Sequence, residues 1–268
     1  MLQSGGRILL VLALALIAIW LLGRLIRPLL GVAIREQMGA EPEVEVTKRI
    51  ETLTDVVNRT IATVIAVIAL ITVLPEFGVN AGPLIAGFGV VGIAVGFGAQ
   101  NVVRDVLNGL EILTENQYAR GDYVSIRSAT GGSVSGVVED INLRRTVLRD
   151  FDGNVHFISH GQIDIASNHT KGFSRVAFNL SVAKSTDVDR LYQVIGQVGT
   201  EMINDPTWLT VLREPPHAAG IANLSDSSME VRVEGVTEPG AQWRAGNELR
   251  RRLKLALEAE GIKSRDKD

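Results

Sequence analysis

The sequence contains no cysteine, and this absence excludes a disulfide framework, a thiolate nucleophile and a zinc site with cysteine ligands. Charge is also scarce: Asp, Glu, Lys and Arg make up 21% of the 268 residues, whereas 46% are hydrophobic, which is more apolar than is usual for a soluble protein. The net charge of −3 argues against a nucleic-acid-binding protein, which would carry a basic face.

Charge is missing above all from the first part of the chain, where three apolar segments predict membrane-spanning helices. They cover residues 8–30, about 56–74, and 77–103. At about 1.5 Å per residue the first extends roughly 34 Å, enough to cross a bilayer. A signal peptide is the alternative for that segment, but no small-x-small cleavage site follows Leu22. We therefore expect a retained anchor and three transmembrane helices.

Basic residues are distributed unevenly around these segments. The connector between the first two, taken with the segment ends that flank it, carries Arg24, Arg27, Arg35, Lys48, Arg49 and Arg59. Residues 76–83 contain no Lys or Arg, and the N-terminus has only Arg7. The positive-inside rule therefore predicts that the first connector and the C-terminal part are cytoplasmic and that the N-terminus faces outward.

The third segment is rich in small residues, since seven of residues 77–100 are Gly and four are Ala. Such a helix approaches other helices closely, backbone against backbone. The predicted packing positions are Gly89, Gly92, Ala94 and Gly96. They lie on two different faces of the helix, which suits a ring of copies in which each helix contacts two neighbours. A generic small-xxx-small contact between two helices is the alternative.

Two large apolar residues interrupt this smooth helix. Ile93 and Phe97 are four residues apart and share one face. In a ring of helices they would form two apolar collars, which can gate a pore because a narrow apolar constriction expels water. The alternative is that both face lipid.

An amphipathic helix suited to the cytoplasmic interface follows residue 100. Asn101 is a weak helix former and predicts a kink, and Gly109 is a second flexible position, so both are candidate hinges. Arg104 and Asp105 lie just below the predicted gate.

The residues that would indicate a transporter, a nucleotide-binding site, a metal site or an enzyme are not found in the sequence. The third segment has no ionisable side chain of the kind that proton relays and ion-coupled transporters place at mid-membrane. Residues 87–92 satisfy G-x-G-x-x-G, but within an uncharged membrane segment this does not indicate nucleotide binding. The four histidines predict no metal site, and no Ser-His-acid arrangement stands out. We expect no enzyme, no metal and no cofactor.

The remainder of the chain predicts two soluble folds. Strands at residues 123–126, 133–138 and 146–158, the last turning at Asp152-Gly153, indicate a small open barrel or open β domain of Sm/OB type. A strand at 176–182, a helix at 187–203, strands at 217–221 and 229–236 and a helix at 239–260 follow. This order is a ferredoxin-like α+β unit without its last strand.

Several of these motifs together resemble the small-conductance mechanosensitive channel (MscS-type) family. The resemblance covers about residues 78–262. In the third segment and the helix after it, the matching positions are the Gly/Ala helix through Ala99-Gln100-Asn101 and then Gly109. Further along the chain the matching motifs are Arg120-Gly121-Asp122-Tyr123-Val124, the run from Gly136 to Arg149 with Asp152-Gly153, and Glu214-Pro215-Pro216. The run from Gly136 matches the family pattern G-x-V-x-x-I-x-L-R-x-T-x-L-R.

The resemblance implies a homoheptamer whose third helices line a pore above a cytoplasmic vestibule. By position, Ile93 and Phe97 match the family's gate rings, and Asn101 and Gly109 match its two hinges. Three departures are visible: Asn101 replaces a glycine, Ile158-Ser159-His160-Gly161 replaces Ile-Pro-Asn-Gly, and the chain ends without the aromatic- and proline-rich strand of many relatives.

We therefore expect a channel of the bacterial inner membrane, opened by bilayer tension and passing ions and small solutes during hypo-osmotic shock. Membrane lipids and other copies of the chain are its expected partners, and nucleic acid is not. Expected domains are residues 1–77, 78–116, 117–175 and 176–262, with a charged tail at 263–268. A secondary transporter and a membrane-anchored scaffold are the alternatives.

Overall fold

A computed structural model describes residues 2–37, 43–129 and 131–262. The chain forms two compact units, Met1–Gly98 and Ala99–Asp268. The charged tail predicted at 263–268 lies outside the described residues. The predicted domain boundaries stay predictions.

Two long helices form the first part of the membrane unit. Helix α1 (Leu2–Gln37) packs along α2 (Glu43–Val73), with Gly23 of α1 beside Asn58 of α2. An ion pair of 3.4 Å between the Arg7 guanidinium and the Glu76 carboxylate joins the start of α1 to the segment after α2. Large apolar side chains of both helices are exposed, as expected for helices that face lipid.

A short turn precedes the third helix. Residues Leu74–Phe77 form a 3-10 helix with Pro75 in its first turn. Gly78 follows the helix as its C-cap and has a left-handed φ of 75°. The side chain of Asn80 accepts a hydrogen bond of 2.9 Å from the backbone N–H of Gly82, and α3 spans Gly82–Thr114. The predicted start of this helix at Phe77 is therefore wrong by five residues, because the proline and the left-handed glycine make a turn there.

The second unit contains a five-stranded antiparallel sheet after the C-terminal part of α3. Its strands are β1 (Tyr123–Ser128), β2 (Ser133–Ile141), β3 (Arg145–Arg149), β4 (Val155–Ser159) and β5 (Ile163–Asn168), in the order β4-β3-β2-β1-β5. The sequence did not predict β5. Val124, Ile126, Val138 and Leu148 form the core of this β domain together with Ile112 of α3.

The last domain has the predicted β-α-β-β-α order. Strand β6 (Ser174–Ala183), helix α4 (Val188–Asn204), strands β7 (His217–Leu224) and β8 (Ser228–Thr237) and helix α5 (Gln242–Ala259) follow one another. The sheet order β6-β8-β7 is that of a ferredoxin-like fold without its fourth strand, which would pair with β6. The predicted fold class is confirmed.

Helix α4 illustrates how the sequence forms this domain. Asp187 caps it, because its carboxylate accepts hydrogen bonds from the backbone N–H groups of Asp189 and Arg190 at 2.9 and 3.1 Å. Its apolar residues recur every three or four positions and face the sheet and α5. The buried set is Leu191, Val194, Ile195, Val198 and Met202, with Val231, Val233, Leu249 and Leu253 opposite.

An aromatic cluster connects the C-terminal domain to the β domain. The ring of Trp243, at the start of α5, lies edge-on to Tyr123 at 4.6 Å and to Phe151 at 5.3 Å between centroids. Tyr123 and Phe151 stack on each other at 5.1 Å. Such contacts hold the two soluble domains together.

Candidate pore-lining helix

The membrane part of α3 is not covered by other described residues of the chain. Every residue from 82 to 98 is exposed, and none of them carries a charge. A helix with this composition is unstable in water on all its faces, so its surroundings must be lipid or other protein chains.

Ile93 and Phe97 lie on one face of α3, one turn apart, and are 62% and 73% exposed. At 1.5 Å per residue their positions are separated by about 6 Å along the helix axis. They thus form a continuous apolar stripe that no side chain of the described chain covers.

Small residues flank this stripe on both sides. Helical periodicity places Gly92 and Gly96 on one side and Ala94 on the other, while Gly89 lies one turn before Ile93. Apart from the adjoining backbone of α3 itself, no described atom lies within 4 Å of the position that a Cβ would take at Gly89, Gly92 or Gly96. Contacts within the described chain therefore do not require these glycines, and the smooth surface they form is available to a neighbouring helix.

Asn101 lies within α3 and does not interrupt it. The helix is assigned without a break from Gly82 to Thr114. The predicted kink at Asn101 stays a prediction.

The two residues predicted below the gate have different surroundings. Arg104 is exposed, whereas Asp105 is only 6% exposed. The Asp105 carboxylate accepts a hydrogen bond of 2.8 Å from the backbone N–H of Gly161 and faces the Arg144 guanidinium at 3.5 Å. Asp105 therefore connects α3 to the β domain.

Gly109 has a packing role that the sequence did not reveal. A Cβ at this position would lie 2.0 Å from the backbone oxygen of Leu143 and 2.4 Å from Nδ1 of His160. Only glycine permits this approach between α3 and the β domain. Its predicted role as a hinge stays a prediction.

A buried chain of polar side chains continues from this contact. Nε2 of His160 lies 2.9 Å from the Thr146 hydroxyl, which lies 3.0 Å from the Tyr118 hydroxyl. All three side chains are buried. Burial lowers the pKa of His160, with the Leu143 carbonyl and the Asp105 carboxylate acting in the opposite sense, and burial raises the pKa of Tyr118.

Sequence reasoning missed this cluster because it joins residues that are far apart in the chain. The amide of Asn108 donates a hydrogen bond of 3.1 Å to the backbone oxygen of His160, 52 positions away. The one available signal was the replacement of Asn by His in the turn at position 160. Among the described residues, no group of three or more His, Asp and Glu side chains could hold a metal ion.

Three family models match adjoining parts of the chain. They are described as "Mechanosensitive ion channel, transmembrane helices 2/3" (residues 60–100), "Mechanosensitive ion channel, beta-domain" (101–171) and "Mechanosensitive ion channel MscS, C-terminal" (176–264).

Named relatives agree with these models. The small-conductance mechanosensitive channel of Caldanaerobacter subterraneus subsp. tengcongensis is 31% identical over 215 residues, which are 80% of this chain and 73% of the relative. The moderate conductance mechanosensitive channel YbiO of Escherichia coli is 31% identical over 216 residues, but the match covers only 28% of that longer protein.

Solved structures share the fold at lower sequence identity. Closed-state MscS from Helicobacter pylori aligns with a TM-score of 0.60 at 20% identity and covers 96% of both chains. MSL1 from Arabidopsis thaliana aligns with a TM-score of 0.59 at 17% identity and covers 100% of this chain and 98% of its own. At these identities the structural match supports the fold alone.

Proposed function

The chain belongs to the MscS family of mechanosensitive ion channels, and on this premise we propose that membrane tension opens a pore lined by α3, releasing ions and small solutes during hypo-osmotic shock. The observation that carries the mechanism is the uncovered stripe of Ile93 and Phe97, flanked by small residues, on an uncharged helix. Transport and not catalysis is the proposed activity.

The proposed pore is a ring of α3 helices from several copies, and seven is the proposed number. Gly92 and Gly96 of one copy pack against the Ala94 side of the next, which brings the backbones close enough for a narrow pore. Ile93 and Phe97 then form two apolar collars that exclude water in the closed state.

Tension favours the state that occupies more area in the bilayer, so a ring that widens is opened by the lipid itself. In the proposed mechanism α1 and α2 face the lipid and transmit tension to α3. Asn101 is the proposed point at which α3 bends, with Gly109 as a second one. Arg104, seven residues after Phe97, is proposed to face the permeating ions below the gate.

The proposed location is the bacterial inner membrane, with the N-terminus outside and the β domain and C-terminal domain in the cytoplasm. The six basic residues in and beside the connection between the first two apolar segments support this orientation. The lack of an ionisable residue in the membrane part of α3 argues against a secondary transporter, and a scaffold would not need the apolar stripe.

Purified protein in liposomes of plain phospholipid tests this function directly. We expect currents that appear as suction on a patch is raised and disappear when it is released. No current from protein that has assembled into a ring would contradict gating by lipid alone.

Replacing Phe97 tests the gate. Phe97→Ser places a hydroxyl in the proposed collar, so water should enter more easily and the channel should open at lower suction or without suction. Val95→Ser is the matched control, because Val95 is also exposed and apolar but lies on the opposite side of α3. Equal thresholds for Phe97→Ser and the unmodified chain would show that Phe97 does not seal the pore.

A further inference from the structure

Besides Ile112, which packs in the core of the β domain, the cytoplasmic half of α3 is attached to that domain by a set of polar contacts that meet at residues 160 and 161. The Asp105 carboxylate accepts from the backbone N–H of Gly161, and the Asn108 amide donates to the backbone oxygen of His160. Gly109 gives the His160 ring room against the helix. We call Asp105, Asn108, Gly109, His160 and Gly161 the latch.

We propose that this latch is acid-sensitive, and that protonation of the fully buried His160 releases the cytoplasmic half of α3 from the β domain. The consequence for the pore rests on the proposed function: a change of cytoplasmic pH would alter the response to tension. The release itself is a property of the fold and can be measured without any current.

The hydrogen bonds of His160 supply the first argument. In the neutral tautomer with its proton on Nδ1, the His160 ring can accept at Nε2 from the Thr146 hydroxyl, which can in turn accept from the Tyr118 hydroxyl. Nδ1 is buried and has no hydrogen-bond partner among the described residues. Protonation makes both ring nitrogens donors. Nε2 of His160 then donates to the Thr146 oxygen, so the hydroxyl proton of either Thr146 or Tyr118 is left without an acceptor among these three side chains. A buried donor without an acceptor is costly.

Burial supplies the second argument. His160 is 0% exposed, and a charged imidazolium is less stable there than in water. Because burial lowers the pKa of His160, the latched state binds fewer protons than the released state. Released α3 is therefore favoured as the pH falls below about 6.5, the ordinary value for histidine, and the effect saturates below the lowered pKa.

Other charged and titratable groups surround the ring. Asp105 and Arg104 approach this turn from α3, Arg144 from the connection between β2 and β3, and Tyr118 from the connection between α3 and β1. The Asp105 carboxylate partly offsets the effect of burial on His160. A variant of His160 that keeps all four groups is therefore needed to assign an acid response.

Hydrogen–deuterium exchange of the full chain in detergent tests the latch. After correction for intrinsic exchange rates, protection of residues 101–114 should fall several-fold between pH 7.5 and 5.5, and by at most about tenfold for each pH unit, because one proton is bound per latch. His160→Asn cannot titrate, and its protection should not depend on pH. His217→Asn, the same change at an exposed histidine of β7, should behave as the unmodified chain does.

The outcomes separate this inference from the channel function. An equal loss of protection in His160→Asn, or no loss in the unmodified chain, would overturn the latch. Inside-out patches at cytoplasmic pH 7.5 and 5.5 then report the consequence, and the tension response should differ between the two in the unmodified chain and not in His160→Asn. Silent patches beside pH-dependent protection would contradict the channel proposal and leave the latch supported.

Discussion

Arg252 is one of two arginines that join the helices of the C-terminal domain through charge, the other being Arg190 of α4, which pairs with Glu260 at the end of α5. The Arg252 guanidinium donates to Glu248 one turn earlier in α5 and to Asp205 at the end of α4. It is only 21% exposed. Arg251 also pairs with Glu248 but is exposed and makes its ion pair within α5. Arg251 and Arg252 therefore differ in whether they connect separate elements.

Replacing Arg252 with Met should destabilise the C-terminal domain by about 1 kcal/mol, the usual net contribution of such hydrogen bonds. Arg251→Met, the matched control, should have a smaller effect because its ion pair is exposed to solvent. Apparent melting temperatures in detergent, followed by tryptophan fluorescence in a Trp20→Phe background that leaves Trp208 and Trp243 of this domain as reporters, measure both. A control as damaging as Arg252→Met would contradict the bridging role.

The ion pairs of Arg252 also predict how the stability deficit of Arg252→Met depends on pH. Hydrogen bonds from Arg251 and Arg252 lower the pKa of Glu248 to about 2, and Arg252 lowers that of Asp205. A carboxyl with a depressed pKa contributes stability that is complete above its unfolded value and is lost as the pH falls through the folded value. The deficit of Arg252→Met should therefore be constant above about pH 4.5 and shrink towards pH 2.

Among the elements, α4 contains two glycines of which one is required by a close contact and the other is not. A Cβ at Gly199 would lie 1.9 Å from the backbone oxygen of Pro216, whereas no atom lies within 4 Å of a Cβ at Gly196. Gly199 therefore allows the segment before β7 to cross the helix closely. Gly196 serves no such contact within the described chain.

Alanine at these two positions gives a matched test at the scale of one helix. Gly199→Ala should destabilise the domain by about 2 kcal/mol or more, because backbone must move to relieve the overlap. Gly196→Ala should be neutral or stabilising by up to about 1 kcal/mol through helix propensity. Tryptophan fluorescence during thermal unfolding in the same Trp20→Phe background measures both, and equal effects of the two substitutions would refute the close crossing.

Elements with strong periodicity were predictable from the sequence, and α4 is the clearest case because its capping residue and apolar spacing agree. Strand β5 was missed because its sequence ends in Ala, Ser and Asn, which are weak strand formers, and because it directly follows a turn at His160–Gln162. The candidate gate could be named because Ile93 and Phe97 stand out among small residues. The hydrogen bond between Asp105 and Gly161 could not be predicted, since it depends on how segments distant in the sequence pack together.

At the scale of the whole molecule, the uncovered faces of α3 make a single copy an incomplete unit. Residues 82 to 98 carry no charge and include the apolar stripe and the small residues that flank it. No face of this part of α3 is therefore polar enough to be stable in water. A dimer would cover one face of small residues, whereas a ring covers the two faces on which Gly96 and Ala94 lie. The number of copies therefore distinguishes a pore from the generic helix contact that the small residues also permit.

Native mass spectrometry of the detergent-solubilised chain measures that number. We expect a complex of seven times the 28.9 kDa chain mass. Gly96→Leu should shift the population to smaller species, because its side chain blocks the approach of the neighbouring helix. Val95→Leu is the control, since position 95 already carries a branched apolar residue and should keep the full complex. A complex of two copies in the unmodified chain would instead identify a simple helix pair and contradict the pore.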